Sequence, residues 1–120
     1  MVVERYLRAV AAQDWDVAAG CLAPDVTRAG PFGDDFAGRD VYLAHLREVM
    51  LSLAGYRMEL GRLIPGAGDR TWTVELTETV EMGGRVVVTP ECLIFDLDED
   101  GLIQHIGIFI RTLGPAAGPG

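Results

Sequence analysis

Two glutamates, Glu78 and Glu91, stand on opposite sides of a Gly83-Gly84 pair, inside a stretch of alternating apolar and polar residues. The glycine pair is a two-residue hairpin signal, because such turns need positive φ and glycine adopts it without a Cβ clash. With that turn, Trp72, Val74, Leu76, Glu78 and Val80 oppose Phe95, Leu93, Glu91, Thr89 and Val87 on one side of a strand pair. The other side sets Thr73, Glu75, Thr77, Thr79 and Glu81 against Ile94, Cys92, Pro90, Val88 and Val86. The first side is the more apolar, so it is expected to be the concave one that helices cover. Two carboxylates on it, diagonal to one another at roughly 7–8 Å, are costly to ionise together, and at least one pKa must rise. Such a pair can hold a protonated acid beside an ionised base at neutral pH. The same residues also admit a plainer arrangement. Either glutamate could sit at the sheet rim or pair with Arg57, Arg62 or Arg85, and a bulge before Pro90 would turn Glu91 outward.

Tyr6 and His45 are further candidates, each on the apolar stripe of an expected helix. Tyr6 could donate its hydroxyl to a ligand or satisfy it locally in the core. His45 could shuttle a proton or be a structural histidine. His105 lies on a late strand whose direction alternation leaves open. Trp72, Leu76, Val80, Leu93 and Phe95 are the expected ligand-contacting wall, with Trp72 and Phe95 equally placed to be core. Phe32 joins them from a loop expected at the pocket mouth, where Asp34 and Asp35 read as solvated. Two histidines without shared spacing make no metal site. Gly66-Ala67-Gly68 joins strand to strand and opens no helix, so it is no phosphate loop. No cofactor is expected.

The elements that must position these groups follow from periodicity. Val3, Tyr6, Leu7 and Val10 recur at helical spacing and predict a helix over residues 2–13. Asp14 is a candidate N-cap for a second helix, Trp15 to Ala23, which Pro24 ends. Val26-Thr27-Arg28 reads as a short strand and Ala29 to Gly38 as an irregular loop. A third helix begins near Arg39, with Tyr42, Leu46, Val49, Met50 and Leu53 on one stripe. Four strands follow: Tyr56–Ile64, Thr71–Met82, Arg85–Leu97 and Leu102–Leu113. Helices first and a long antiparallel meander afterwards is an α+β order: a curved sheet packed against three N-terminal helices, forming a cone that encloses a pocket.

The totals bound the rest. The chain has 120 residues, 49% of them hydrophobic and 23% charged, the balance of one globular domain over residues 1–113. Residues 114–120 (Gly-Pro-Ala-Ala-Gly-Pro-Gly) have the composition of a flexible tail. A net charge of −8 argues against nucleic acid or an anionic membrane as partner. Cys21 and Cys92 lack any paired motif and read as buried reduced thiols of a cytoplasmic protein. Val86, Val88, Cys92 and Ile94 make the outer side of the hairpin apolar enough to suggest a homodimer.

The run Glu4-Arg5-Tyr6-Leu7, Asp14-Trp15-Asp16, Leu22-Ala23-Pro24-Asp25-Val26, Gly30-Pro31-Phe32-Gly33 and Gly38-Arg39-Asp40 resembles the nuclear-transport-factor-2-like superfamily. Within it the chain is closest in style to SnoaL-like proteins and ketosteroid isomerase. The resemblance implies a cone-shaped fold that hosts isomerases, cyclases, dehydratases, epoxide-opening enzymes and non-catalytic binders. It sets Tyr6 at the oxyanion-hole tyrosine of ketosteroid isomerase. The general base of that enzyme falls on Gly30, and its protonated aspartate falls near Cys92 or Leu93. An epoxide hydrolase of the limonene type would need an arginine two places from an aspartate on a strand, but Glu78 is flanked by Leu76 and Val80, so that triad is missing. Epoxide-opening cyclases ask only for two facing carboxylates, a role open to Glu78 and Glu91. The resulting expectation is a cofactor-free acid–base enzyme on a hydrophobic polyketide- or terpenoid-like molecule. A non-catalytic apolar binding pocket and a dimerisation module are the alternatives.

Overall fold

The computed structural model describes residues 1–111; the expected tail and the end of the last expected strand lie outside them. Helix α1 (Val2–Ala11) buries Val3, Tyr6 and Leu7, and its exposed side carries a Glu4–Arg8 pair at 3.0 Å, the favourable order for an i,i+4 pair. Asp14 caps α2 (Trp15–Cys21), its carboxylate accepting from the Val17 N–H at 3.4 Å. The second helix stops two residues earlier than its apolar pattern suggested. Leu22, Ala23 and Pro24 instead open strand β1 (Leu22–Ala29), with Leu22 and Ala23 fully buried in extended form. Within the expected irregular loop, Phe36–Ala37 forms a two-residue strand, β2, paired antiparallel with β1. Helix α3 (Arg39–Ser52) follows directly, then the strands β3 (Ala54–Pro65), β4 (Thr71–Met82), β5 (Arg85–Leu97) and β6 (Ile103–Ile110).

The six strands form one sheet in the order β2-β1-β6-β5-β4-β3. The expected meander accounts for β3 to β6, all antiparallel. The β1–β6 pair is parallel, within a sheet that is otherwise antiparallel as expected. It sets Arg28 beside Ile106 and Thr27 beside His105. His105 therefore faces away from the helices, its Nδ1 2.6 Å from the Thr27 hydroxyl.

The β4–β5 ladder runs without interruption from Thr71↔Asp96 to Met82↔Arg85. Gly83 and Gly84, at φ +59° and +78°, make the turn. No bulge precedes Pro90, so the expected alternation holds and Glu78 and Glu91 share one face. The core on that face contains Val74, Leu76, Leu93 and Phe95 with Ile103 and Ile106 from β6. Val3, Tyr6, Leu7, Ala18 and Cys21 cover it from the helices. Each such large apolar side chain fully withdrawn from water contributes about 1.5–3 kcal/mol. Cys21 is buried as expected, but Cys92 is only half-buried. Among the described residues no helix is long and apolar enough to cross a membrane.

Candidate active site

Between α1, α3 and the helix-facing side of the sheet lies a cavity of about 360 Å³, within the size range of small-molecule sites. Its wall takes Leu76, Glu78 and Val80 from β4, Thr89, Glu91 and Leu93 from β5, and Tyr6, Leu7 and Val10 from α1. The stripe of α3 completes it, with Tyr42, His45, Leu46, Val49 and Met50 turned toward the sheet. Phe32 stands at the edge of the cavity, 78% exposed. Trp72 and Phe95 lie outside the lining. Phe95 is fully buried and packs edge-on to Tyr6, with ring centroids 6.1 Å apart. Trp72 packs against the core beside it. Both continue the apolar face past the end of the cavity, so alternation alone could not tell wall from core.

Glu78 and Glu91 meet inside this lining. In the ladder Glu78 pairs with Thr89 and Glu91 with Leu76, the expected diagonal. Glu91 is pushed up to about 9, first by burial, then by its hydrogen bond with Glu78 and by the charge of Glu78, against an opposing pull from Arg28. Glu91 thus holds its proton at neutral pH. Tyr56, from the start of β3, donates its hydroxyl to Glu78 Oε2 at 2.5 Å. Burial and the adjacent Glu78 push the Tyr56 hydroxyl far above its ordinary range, so it remains a donor. Among the described residues neither glutamate forms an ion pair. Arg62 instead pairs with Glu75 on the opposite face of the sheet.

A second polar cluster faces the dyad from α1, α3 and β1. The Tyr6 and Tyr42 hydroxyls lie 2.7 Å apart. Burial raises both above the ordinary tyrosine range, so both keep their protons. The Arg28 guanidinium lies 5.7 Å from the centroids of both the Tyr42 and Phe36 rings. Its Nη1 donates to the Asp34 carbonyl and carboxylate, each at 2.8 Å. Against the upward push of its burial, hydrogen bonds from Arg28 and from the Phe32 N–H hold Asp34 below its ordinary value. Asp34 is therefore fastened to the wall and is not the solvated loop residue its surroundings suggested. Asp35 accepts from the Gly30 N–H at 3.3 Å.

This clamp also explains Gly30. A Cβ there would collide with the Asp34 carboxylate and come within 2.7 Å of Arg28 Nη1. The space that a side chain at 30 would enter is filled by Asp34, reaching back from four residues on. His45 makes no side-chain hydrogen bond among the described residues. Its ring stacks on Phe36 at 4.3 Å.

Sequence reasoning missed Arg28, Tyr42 as a polar group, Tyr56 and Asp34. A signal for Arg28 was present: Val26 and Arg28 alternate, so an inward Val26 (1% exposed) implies an inward Arg28. Tyr56 offered none, because β3 shifts register between Ala54 and Arg57. Among the described residues no three His, Cys, Asp or Glu side chains are grouped to hold a metal ion.

The model of the SnoaL-like domain matches residues 3–106. The chain belongs to the SnoaL-like family. Its structure is similar to that of an epoxide hydrolase of M. tuberculosis resembling the limonene type (23% identity, TM-score 0.76, covering 92% of this chain and 80% of that one). It is also similar to an epoxide hydrolase/cyclase-like enzyme of pyran-ring formation in the polyether salinomycin (22% identity, TM-score 0.79, 92% and 88%). A nuclear-transport-factor-2-like protein of unknown function from Exiguobacterium shares the fold too (16% identity, TM-score 0.80, 92% and 98%). No curated protein matches the sequence. At these identities the likeness carries the fold, and the chemistry must be argued from the side chains.

Proposed function

We propose that this SnoaL-like protein is a cofactor-free acid–base enzyme that opens or closes a ring on a hydrophobic polyketide- or terpenoid-like molecule, with Glu91 as acid and Glu78 as base. The observation that carries it is the placing of both glutamates in one cavity wall, on adjacent strands, with Tyr56 donating to Glu78; burial pushes Glu91 up to about 9. In epoxide opening, Glu91 gives its proton to the epoxide oxygen as the C–O bond breaks. Glu78, steadied by Tyr56, takes the proton of the attacking hydroxyl or water as the new C–O bond forms. The dyad then holds its proton on the wrong member, and one transfer from Glu78 to Glu91 restores it. Concerted transfer of this kind contributes about 10²–10⁴-fold in rate, and the apolar lining strengthens it by excluding water. The two structural relatives that act on epoxides or form pyran rings support this reaction class by analogy.

An isomerase reading is favoured by one observation, the Tyr6–Tyr42 contact, which could donate a hydrogen bond to a developing enolate oxygen. The test separates the two. A panel of apolar epoxides and of enones is offered to the wild type, Glu78→Gln and Glu91→Gln. Ring opening that falls about 10²-fold or more in both variants, with a wild-type rate that declines as pH rises through about 9, is the expected result. Turnover of enones alone, lost in Tyr6→Phe, would favour isomerisation. Rates unchanged in both glutamate variants would rule out the dyad as the catalytic pair.

A further inference from the structure

The acid–base step leaves an ion pair of the cavity wall, Arg28 with Asp34, unused. Arg28 is 9% exposed and is the sole arginine or lysine in the lining among the described residues. Taking a guanidinium out of water costs several kcal/mol unless its N–H groups find acceptors. Its two hydrogen bonds to Asp34 both leave from Nη1. Nε is buried with no partner among the described residues, and an orphaned buried donor is itself destabilising. The Phe36 and Tyr42 rings hold the group in position. A guanidinium pairs two-pronged with a carboxylate through parallel N–H bonds. Asp34 engages a single nitrogen and leaves that two-pronged edge unused.

We propose that Arg28 anchors the carboxylate of the cavity's ligand, so that the molecule bound here is an apolar organic acid. Its carboxylate supplies the acceptor that Nε lacks, and its apolar body lies along Leu76, Leu93 and Leu46. The other charges permit this. Asp34 engages only Nη1 of Arg28 and leaves Nε without an acceptor, and the burial that favours a proton on Glu91 limits the negative charge facing it. The inference rests on the cavity being the ligand site of the proposed function but not on the dyad being catalytic.

Isothermal titration of 4-phenylbutyrate and of its methyl ester into the wild type at neutral pH tests it without any variant. The acid is expected to bind about tenfold or more tightly than the ester, the scale of one charge-assisted hydrogen bond. In Arg28→Gln, checked for folding by circular dichroism, the two ligands should bind alike. In Arg28→Lys, which keeps the charge and loses the fork, part of the difference should remain. Equal binding of acid and ester by the wild type, binding of neither, or a preference that survives in Arg28→Gln would overturn the proposal. The acid–ester ratio does not depend on Glu78 chemistry, so this inference and the dyad mechanism can fail separately.

Discussion

At the scale of single residues, the proposed chemistry rests on a buried carboxylic acid, Glu91, whose protonation is also a statement about stability. Folded, it keeps its proton to about 9; unfolded, it releases it near its ordinary value of 4.5. Folding therefore takes up a proton between those two values, and the contribution of Glu91 to stability declines as pH rises across that window. It is whole below about 4.5 and spent above about 9. Glu91→Gln mimics the protonated side chain and cannot ionise. Its advantage over the wild type should grow from pH 5 to pH 9, read from urea midpoints at several pH values. A gap that stays constant over that range would mean that Glu91 titrates like an exposed glutamate. The two glutamates were legible in the sequence because alternation assigns a face without any knowledge of distant neighbours. Arg28 and Asp34 were less so, since their meaning depends on a loop folding back onto a strand.

At the scale of elements, the turn decides where that chemistry points. Gly83 and Gly84 both occupy the left-handed region, where a residue with a Cβ costs about 1–2 kcal/mol each. Replacing both by alanine should therefore lower stability by roughly 2–4 kcal/mol. Gly83→Asn alone should be nearly neutral, because asparagine tolerates that conformation. Chemical denaturation of the three proteins measures this; a stable double-alanine variant would mean the ladder sets its own register. The hairpin was readable because its pairing partners are neighbours in sequence. The pairing of β1 with β6 was not, because it joins segments about eighty residues apart and no local pattern specifies it. The early end of α2 has the same origin. Leu22 suits an amphipathic helix as well as a buried strand, and β6 supplies the partner that selects the strand.

At the scale of the whole molecule, the sheet has one face committed to the helices and another that no element among the described residues covers. On that outer face Ile64, Val86, Val88 and Phe109 are 39–63% exposed, spread over β3, β5 and β6. The ladders bring Phe109 beside Cys92 and Val88 beside Thr79, so the apolar groups lie among threonines and the Arg62–Glu75 pair. Apolar groups gathered on one sheet face are a marker of association, and a second copy offers the same face in return, as two-fold symmetry requires. We propose that two copies associate through it. Light scattering on the purified protein should give twice the 13.0 kDa chain mass. Phe109→Arg with Val88→Lys should give the monomer mass. These side chains point away from the cavity, so the binding of 4-phenylbutyrate should survive the change as long as the monomer stays folded. A wild-type protein that is monomeric at tens of micromolar would remove the homodimer. A dimer that persists in the double variant would move the interface elsewhere on the surface.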